Sequence, residues 1–102
     1  LLTEEKLNYQ DLCLYEKEFR ISKNQKDLNL SPKEYKILRF LMINPKKVWS
    51  REIILESIWG INSGVDIKTI DVHIRWIRKK IEDDPSKPIY IKTVRGVGYK
   101  LG

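Results

Sequence analysis

Between Asp66 and Asp84 the chain sets an aliphatic and an indole side chain, Val72 and Trp76, among Lys68, His73, Arg75, Lys79 and Lys80. Cations at this density attract phosphate, while an exposed methyl group and an indole can meet thymine methyls and base edges. A helix lying in a DNA major groove would use both kinds of side chain at once. The competing reading is that Trp76 packs on a neighbouring element, because a single exposed apolar residue is ordinary and only a patch is informative. Residue types for catalysis are scarce. There is one histidine, no paired carboxylates in a recognisable context, no phosphate-loop lysine and no metal-ligand cluster. Gly96-Val97-Gly98 is too short and wrongly placed for a dinucleotide loop. The expectation is a non-enzyme with no cofactor and no metal.

The element that must present these side chains is a helix. Ile67, Ile70, Ile74, Ile77 and Ile81 recur at spacings of three and four, which lays one apolar stripe against a core. At about 100° per residue, five inward isoleucines leave an outward face centred on Thr69, Val72, Trp76 and Lys79. Lys68 and Arg75 lie on one flank of that face, His73 and Lys80 on the other.

Composition supports a polyanionic partner. The 102 residues carry a net charge of +6, and the excess is uneven. Residues 1–30 hold five basic and six acidic groups, residues 31–65 six and three, and residues 66–102 nine and five. Such asymmetry favours nucleic acid over a membrane, since no segment has the length or apolarity of a span. The length suits one domain. Cys13 is the only cysteine, is read as a small packed side chain, and places the chain in a reducing cytoplasm. A chain that opens on Leu1 is expected to be a piece of something longer.

In order along the chain, residues 7–30 read as short antiparallel strands, with apolar pairs Leu7/Tyr9, Leu12/Leu14, Phe19/Ile21 and Leu28/Leu30 between polar turns. Ser31-Pro32-Lys33-Glu34 is a helix start with N-cap, proline at the first helical position and capping box. That helix runs through Ile37, Leu38, Leu41 and Met42 to Asn44, where Pro45 ends it. A second helix starts at Ser50, turns Ile54, Leu55 and Ile58 inward, and closes on Gly60. Residues 61–65 form a loop before the basic helix, so the pair reads as helix-turn-helix. Residues 89–94 and 99–101 read as the strands of a hairpin around Arg95-Gly96-Val97-Gly98. Such a hairpin carries Arg95 either into a minor groove or, in the plainer reading, into solvent.

Thr69-Ile70-Asp71-Val72-His73-Ile74-Arg75 and Tyr90-Ile91-Lys92-Thr93-Val94-Arg95-Gly96-Val97-Gly98-Tyr99 resemble the C-terminal effector domain of OmpR/PhoB-type response regulators. Leu30 to Tyr35, Ser50-Arg51-Glu52 and Trp59-Gly60 fit the same family in order and spacing, so the resemblance covers essentially the whole chain. It implies an α+β winged helix-turn-helix with an N-terminal four-stranded antiparallel sheet, a three-helix core and a C-terminal β-hairpin wing. The implied function is binding of double-stranded promoter DNA in transcription control. One domain would then span residues 1–102, with residues 1–6 as linker remnant and a phosphoacceptor receiver domain elsewhere in a longer protein.

The resemblance assigns Lys68, Thr69, Val72, His73, Arg75, Trp76 and Arg78 to the DNA-facing surface, to which the helical face adds Lys79. It gives phosphate contacts to Arg51 and Trp59 and wing contacts to Thr93 and Arg95. Ile61, Asn62, Ser63, Gly64 and Val65 match the segment through which relatives contact RNA polymerase. It further implies a monomer alone and a tandem dimer on direct-repeat half-sites. Trp76 departs from the family, whose commoner pattern has a basic residue there, so no target sequence can be carried over. The alternative function is a winged helix whose Val72 and Trp76 meet a partner protein.

Overall fold

The computed structural model describes residues 6–102. Helices α1 (Pro32–Ile43), α2 (Arg51–Trp59) and α3 (Lys68–Ile81) lie between two antiparallel sheets. The N-terminal sheet runs in the order β1 (Lys6–Tyr9), β2 (Leu12–Tyr15), β3 (Arg20–Lys23), β4 (Lys26–Asp27). The C-terminal sheet is β5 (Trp49–Ser50), β7 (Gly98–Leu101), β6 (Ile91–Val94). This is the expected α+β winged helix. Of the segment expected to be a linker remnant, residues 1–5 lie outside the described residues, and Lys6 already pairs with Tyr15 as the first residue of β1.

Alternation builds the first sheet: Leu12, Leu14 and Ile21 are fully buried, while Cys13 and Tyr15 between them are only half-buried. Two expectations here need correction. Phe19 does not share an inward face with Ile21. A short 3-10 turn at Glu16–Glu18 ends with Phe19 in a left-handed conformation (φ 51°), which swings the ring out to 76% exposure and edge-on to Tyr35. Leu28 and Leu30 come after the two-residue β4 rather than forming a strand, and both pack half-buried against the core.

The helix signals hold. Ser31 Oγ accepts from the Glu34 N–H at 3.3 Å while Glu34 Oε1 accepts from the Ser31 N–H at 3.0 Å, closing the capping box with Pro32 inside it. Ser50 Oγ accepts from the Ile53 N–H at 3.1 Å to start α2, and Gly60 (φ 95°) ends it. Within α2 only Ile54 is fully buried; Leu55 and Ile58 are half-buried. The third helix is shorter than the stretch from Asp66 to Asp84. Asp66 stands outside it and accepts from the Lys68 N–H at 2.9 Å. Ile70, Ile74, Ile77 and Ile81 are at most 1% exposed, each contributing about 1.5–3 kcal/mol by burial. Ile67 is half-buried at the helix entrance rather than on the stripe, so four isoleucines, not five, fix the inward face.

A buried carboxylate just past the end of α3 sets the hairpin. Glu82, 6% exposed, accepts from the N–H groups of Ile89, Tyr90 and Ile91 at 2.7 to 3.2 Å. Because this carboxylate takes the amides of residues 89 and 90, the strand begins at Ile91, and Ile89 is left 53% exposed. The short β5 has no pattern of its own in the sequence. It pairs Trp49 with Tyr99 and Ser50 with Gly98, making Gly98 a strand residue instead of part of the turn. A Cβ on Gly98 would collide with the Trp49 backbone carbonyl, so this crossing of strands requires glycine.

Candidate nucleic-acid interface

The outward face of α3 is built as the isoleucine stripe dictates. Val72 and Trp76 are 42% and 44% exposed, with Lys68, Arg75 and Lys79 exposed around them and Thr69 half-buried at the helix start. That exposure excludes a core role for Trp76. Among the described residues, Lys68, Arg75 and Lys79 make no ion pair. Lys80, one residue further round, is spent: its Nζ donates to Glu34 Oε1 at 2.5 Å. Burial opposes ionisation of Glu34, but the Lys80 ammonium and the Ser31 N–H outweigh it and hold this carboxyl below the usual carboxylate range.

His73 and Trp59 do not stand free as phosphate donors. The His73 ring lies between two indoles, with its centroid 5.2 Å from Trp59 and 5.0 Å from Trp76. A carbonyl only accepts, so His73 Nδ1 must donate to the Thr69 carbonyl, at 2.8 Å. Trp59 is half-buried, and Lys33 Nζ sits 5.0 Å from its ring centre.

Between α2, α3 and the hairpin opens a cleft of about 330 Å³, lined by Arg51, Asp71, Thr93, Arg95 and Tyr99 among others. Asp71 is its centre, accepting from Arg51 Nη1 at 2.8 Å and from the Tyr99 hydroxyl at 2.6 Å. Burial together with the Asp71 carboxylate pushes the Tyr99 hydroxyl up to about 12. Arg95 is exposed on the turn, which Gly96 (φ 78°) shapes and the Val97 N–H to Val94 carbonyl bond closes at 2.9 Å. Lys92 is exposed on the same hairpin.

Arg78, half-buried, is tied to the hairpin. Its Nε and Nη2 donate to the Ile91 carbonyl, Nη2 also donates to Thr93 Oγ1 at 2.8 Å, and the guanidinium lies 5.6 Å from the Tyr99 ring centre. The structure thus gathers Lys68, Val72, Arg75, Trp76, Lys79 and Arg95 as accessible groups, while Arg51, Trp59, His73 and Arg78 hold their neighbours, and Thr93, itself exposed, accepts from Arg78. Asp71 and Tyr99 belong to the site although the sequence reading does not single them out. An acidic residue on a basic helix flank is the available signal for the first, because it demands a cation or donor nearby.

Residues 24–101 match the family described as "Transcriptional regulatory protein, C terminal". The chain belongs to this family. Its relatives include the alkaline phosphatase synthesis transcriptional regulatory protein SphR of Synechococcus elongatus, 53% identical over 96 residues, which span 94% of this chain and 37% of that protein. A fold match at TM-score 0.87 and 41% identity links it to DrrB, an OmpR/PhoB homolog of Thermotoga maritima, over 94% of this chain and 43% of DrrB. The DNA-binding domain of Klebsiella pneumoniae RstA, solved in complex with the RstA box, matches at TM-score 0.86 and 25% identity, over 96% of this chain and 97% of that one. The chain therefore has the extent of an OmpR/PhoB-type C-terminal domain and spans less than half the length of SphR and DrrB. In this chain the solvent-facing Val72–Trp76 pair lies on α3, the helix after the loop of residues 61–65.

Proposed function

We propose that this OmpR/PhoB-type domain binds double-stranded promoter DNA sequence-specifically, with α3 in the major groove and the β6–β7 hairpin along the minor groove. The carrying observation is the continuous surface on which Val72 and Trp76 stand exposed, ringed by Lys68, Arg75 and Lys79 without ion pairs among the described residues, with Arg95 on the neighbouring turn. Cations at the rim position the duplex, and the apolar centre reads it. Arg51 and Thr93 contribute from the cleft, Arg51 by exchanging part of its Asp71 pair for a phosphate.

The exposed loop carrying Ile61, which is 75% exposed, together with Asn62, Ser63, Gly64 and Val65, is our candidate for the RNA polymerase contact. The share of SphR and DrrB that the chain spans supports its working as the effector part of a longer cytoplasmic response regulator. We take it to be monomeric alone and to occupy direct-repeat half-sites as a tandem dimer, about one helical turn apart.

The test is a salt titration on a mixed-sequence duplex, followed by selection of bound sites from a random pool. About four to six neutralised phosphates per domain imply a slope of log K against log salt of about −4 to −5. A slope near zero removes DNA as the ligand and returns the Val72–Trp76 face to a protein partner.

A further inference from the structure

The exposed Trp76 indole is not an isolated side chain on a helix. It is the outer end of a stack to which all three helices contribute: Lys33 of α1 over Trp59 of α2, Trp59 edge-on to His73, and His73 tilted against Trp76 in α3. The inner end is tied down, since Lys33 Nζ also donates to the Ile58 carbonyl at 3.4 Å at the end of α2. The middle is tied down as well, because His73 Nδ1–H is committed to the Thr69 carbonyl.

We propose that His73 is a positioning residue for Trp76, a shelf that fixes the indole in its base-reading orientation, and not itself a phosphate contact. This rests on the reading of Trp76 as a base-reading side chain. An indole held in one orientation before binding loses less rotational freedom at the interface than a freely turning one. The ring of His73 supplies that restraint through aromatic contact, which depends on ring shape more than on charge.

The experiment measures affinity of the 102-residue chain for two duplexes, one carrying a site enriched from a random-sequence pool and one of scrambled sequence. His73→Ala, His73→Phe and Trp76→Ala are compared with the unaltered chain, each with its thermal unfolding and salt slope. The ratio of the two affinities should fall about three- to tenfold in His73→Ala, the scale of one lost aromatic pair, with the salt slope unchanged. His73→Phe keeps a ring between the two indoles and should restore most of the ratio. It also guards against loss of folding in the alanine variant. An equal loss on both duplexes in His73→Phe, with a shallower slope, would make His73 a phosphate contact and overturn the inference. A ratio lowered by Trp76→Ala but untouched by His73→Ala would also overturn it, leaving the role of Trp76 intact. A ratio unmoved by Trp76→Ala would instead sink the reading of Trp76, and this inference with it.

Discussion

Arg78 is bonded to the backbone of the wing: its Nε and Nη2 both donate to the Ile91 carbonyl, at 3.1 and 2.8 Å. A charged donor pair on one carbonyl is worth more than a neutral bond, and here it joins the start of the hairpin's first strand to the helix that precedes it. Arg78→Ala should therefore lower folding stability by about 1–3 kcal/mol and leave the salt slope of DNA binding nearly unchanged. Urea unfolding and a salt titration on one variant decide it. An intact midpoint with a slope shallower by about one unit would place this guanidinium on a phosphate instead.

Periodic and punctuating features are legible without coordinates. The isoleucine stripe, the Ser31 capping box, Pro45, and the glycine after Trp59 each state a local requirement that only one structure meets. Pairings between segments distant in sequence are not legible in this way. Trp49-Ser50 becomes a strand only because β7 passes beside it, and Phe19 leaves its expected face because a helical turn intervenes. The candidate site divides along the same line. Helical geometry places Val72 and Trp76 outward correctly, but it does not tell a cation that is free from one already committed. Arg78 and Lys80 meet their partners across 13 and 46 residues of sequence.

Glu34 gives a pH prediction. Its folded carboxyl is held below the ordinary value of 4.5, so the stability it contributes is present above that value. It is lost as pH falls from there through the depressed folded value. Glu34→Gln should unfold more easily at pH 7 and show a weaker loss of stability below about pH 4.5 than the unaltered chain. Parallel acid unfolding curves for the two would rule out the Lys80–Glu34 pair as a source of this dependence.

Gly98 tests the unexpected strand. Because a Cβ there meets the Trp49 carbonyl, Gly98→Ala should cost about 1–3 kcal/mol as the strands are pushed apart. Gly96→Asn should be milder, since asparagine tolerates the left-handed turn conformation and nothing lies within 4 Å of a Cβ at that position. Equal thermal stabilities for the two variants would contradict the crossing at Trp49.

Arg95 is exposed on the turn and makes no ion pair among the described residues, so its removal should leave folding alone. Binding to every duplex should weaken, with the salt slope shallower by about one unit and at most a secondary loss of preference for A·T-rich flanks. A variant that binds with its full slope would show that the wing does not reach the DNA.

Trp76 carries the sharpest claim, because its 44% exposure removes the core alternative and leaves a large apolar side chain where a lysine would serve non-specific attraction better. With Val72 it should face a thymine-containing step, whose C5 methyl is the one apolar group on a major-groove base edge. Trp76→Ala should reduce binding to the enriched site by about 1–3 kcal/mol while affinity for random duplex barely moves, since no charge is lost. Stability should fall by less than the roughly 3–5 kcal/mol expected for a buried tryptophan. Substituting uracil for thymine in the enriched site deletes the methyl alone. If that change weakens the unaltered chain but not Trp76→Ala, the indole is what meets the methyl; an equal effect on both would assign the contact to Val72.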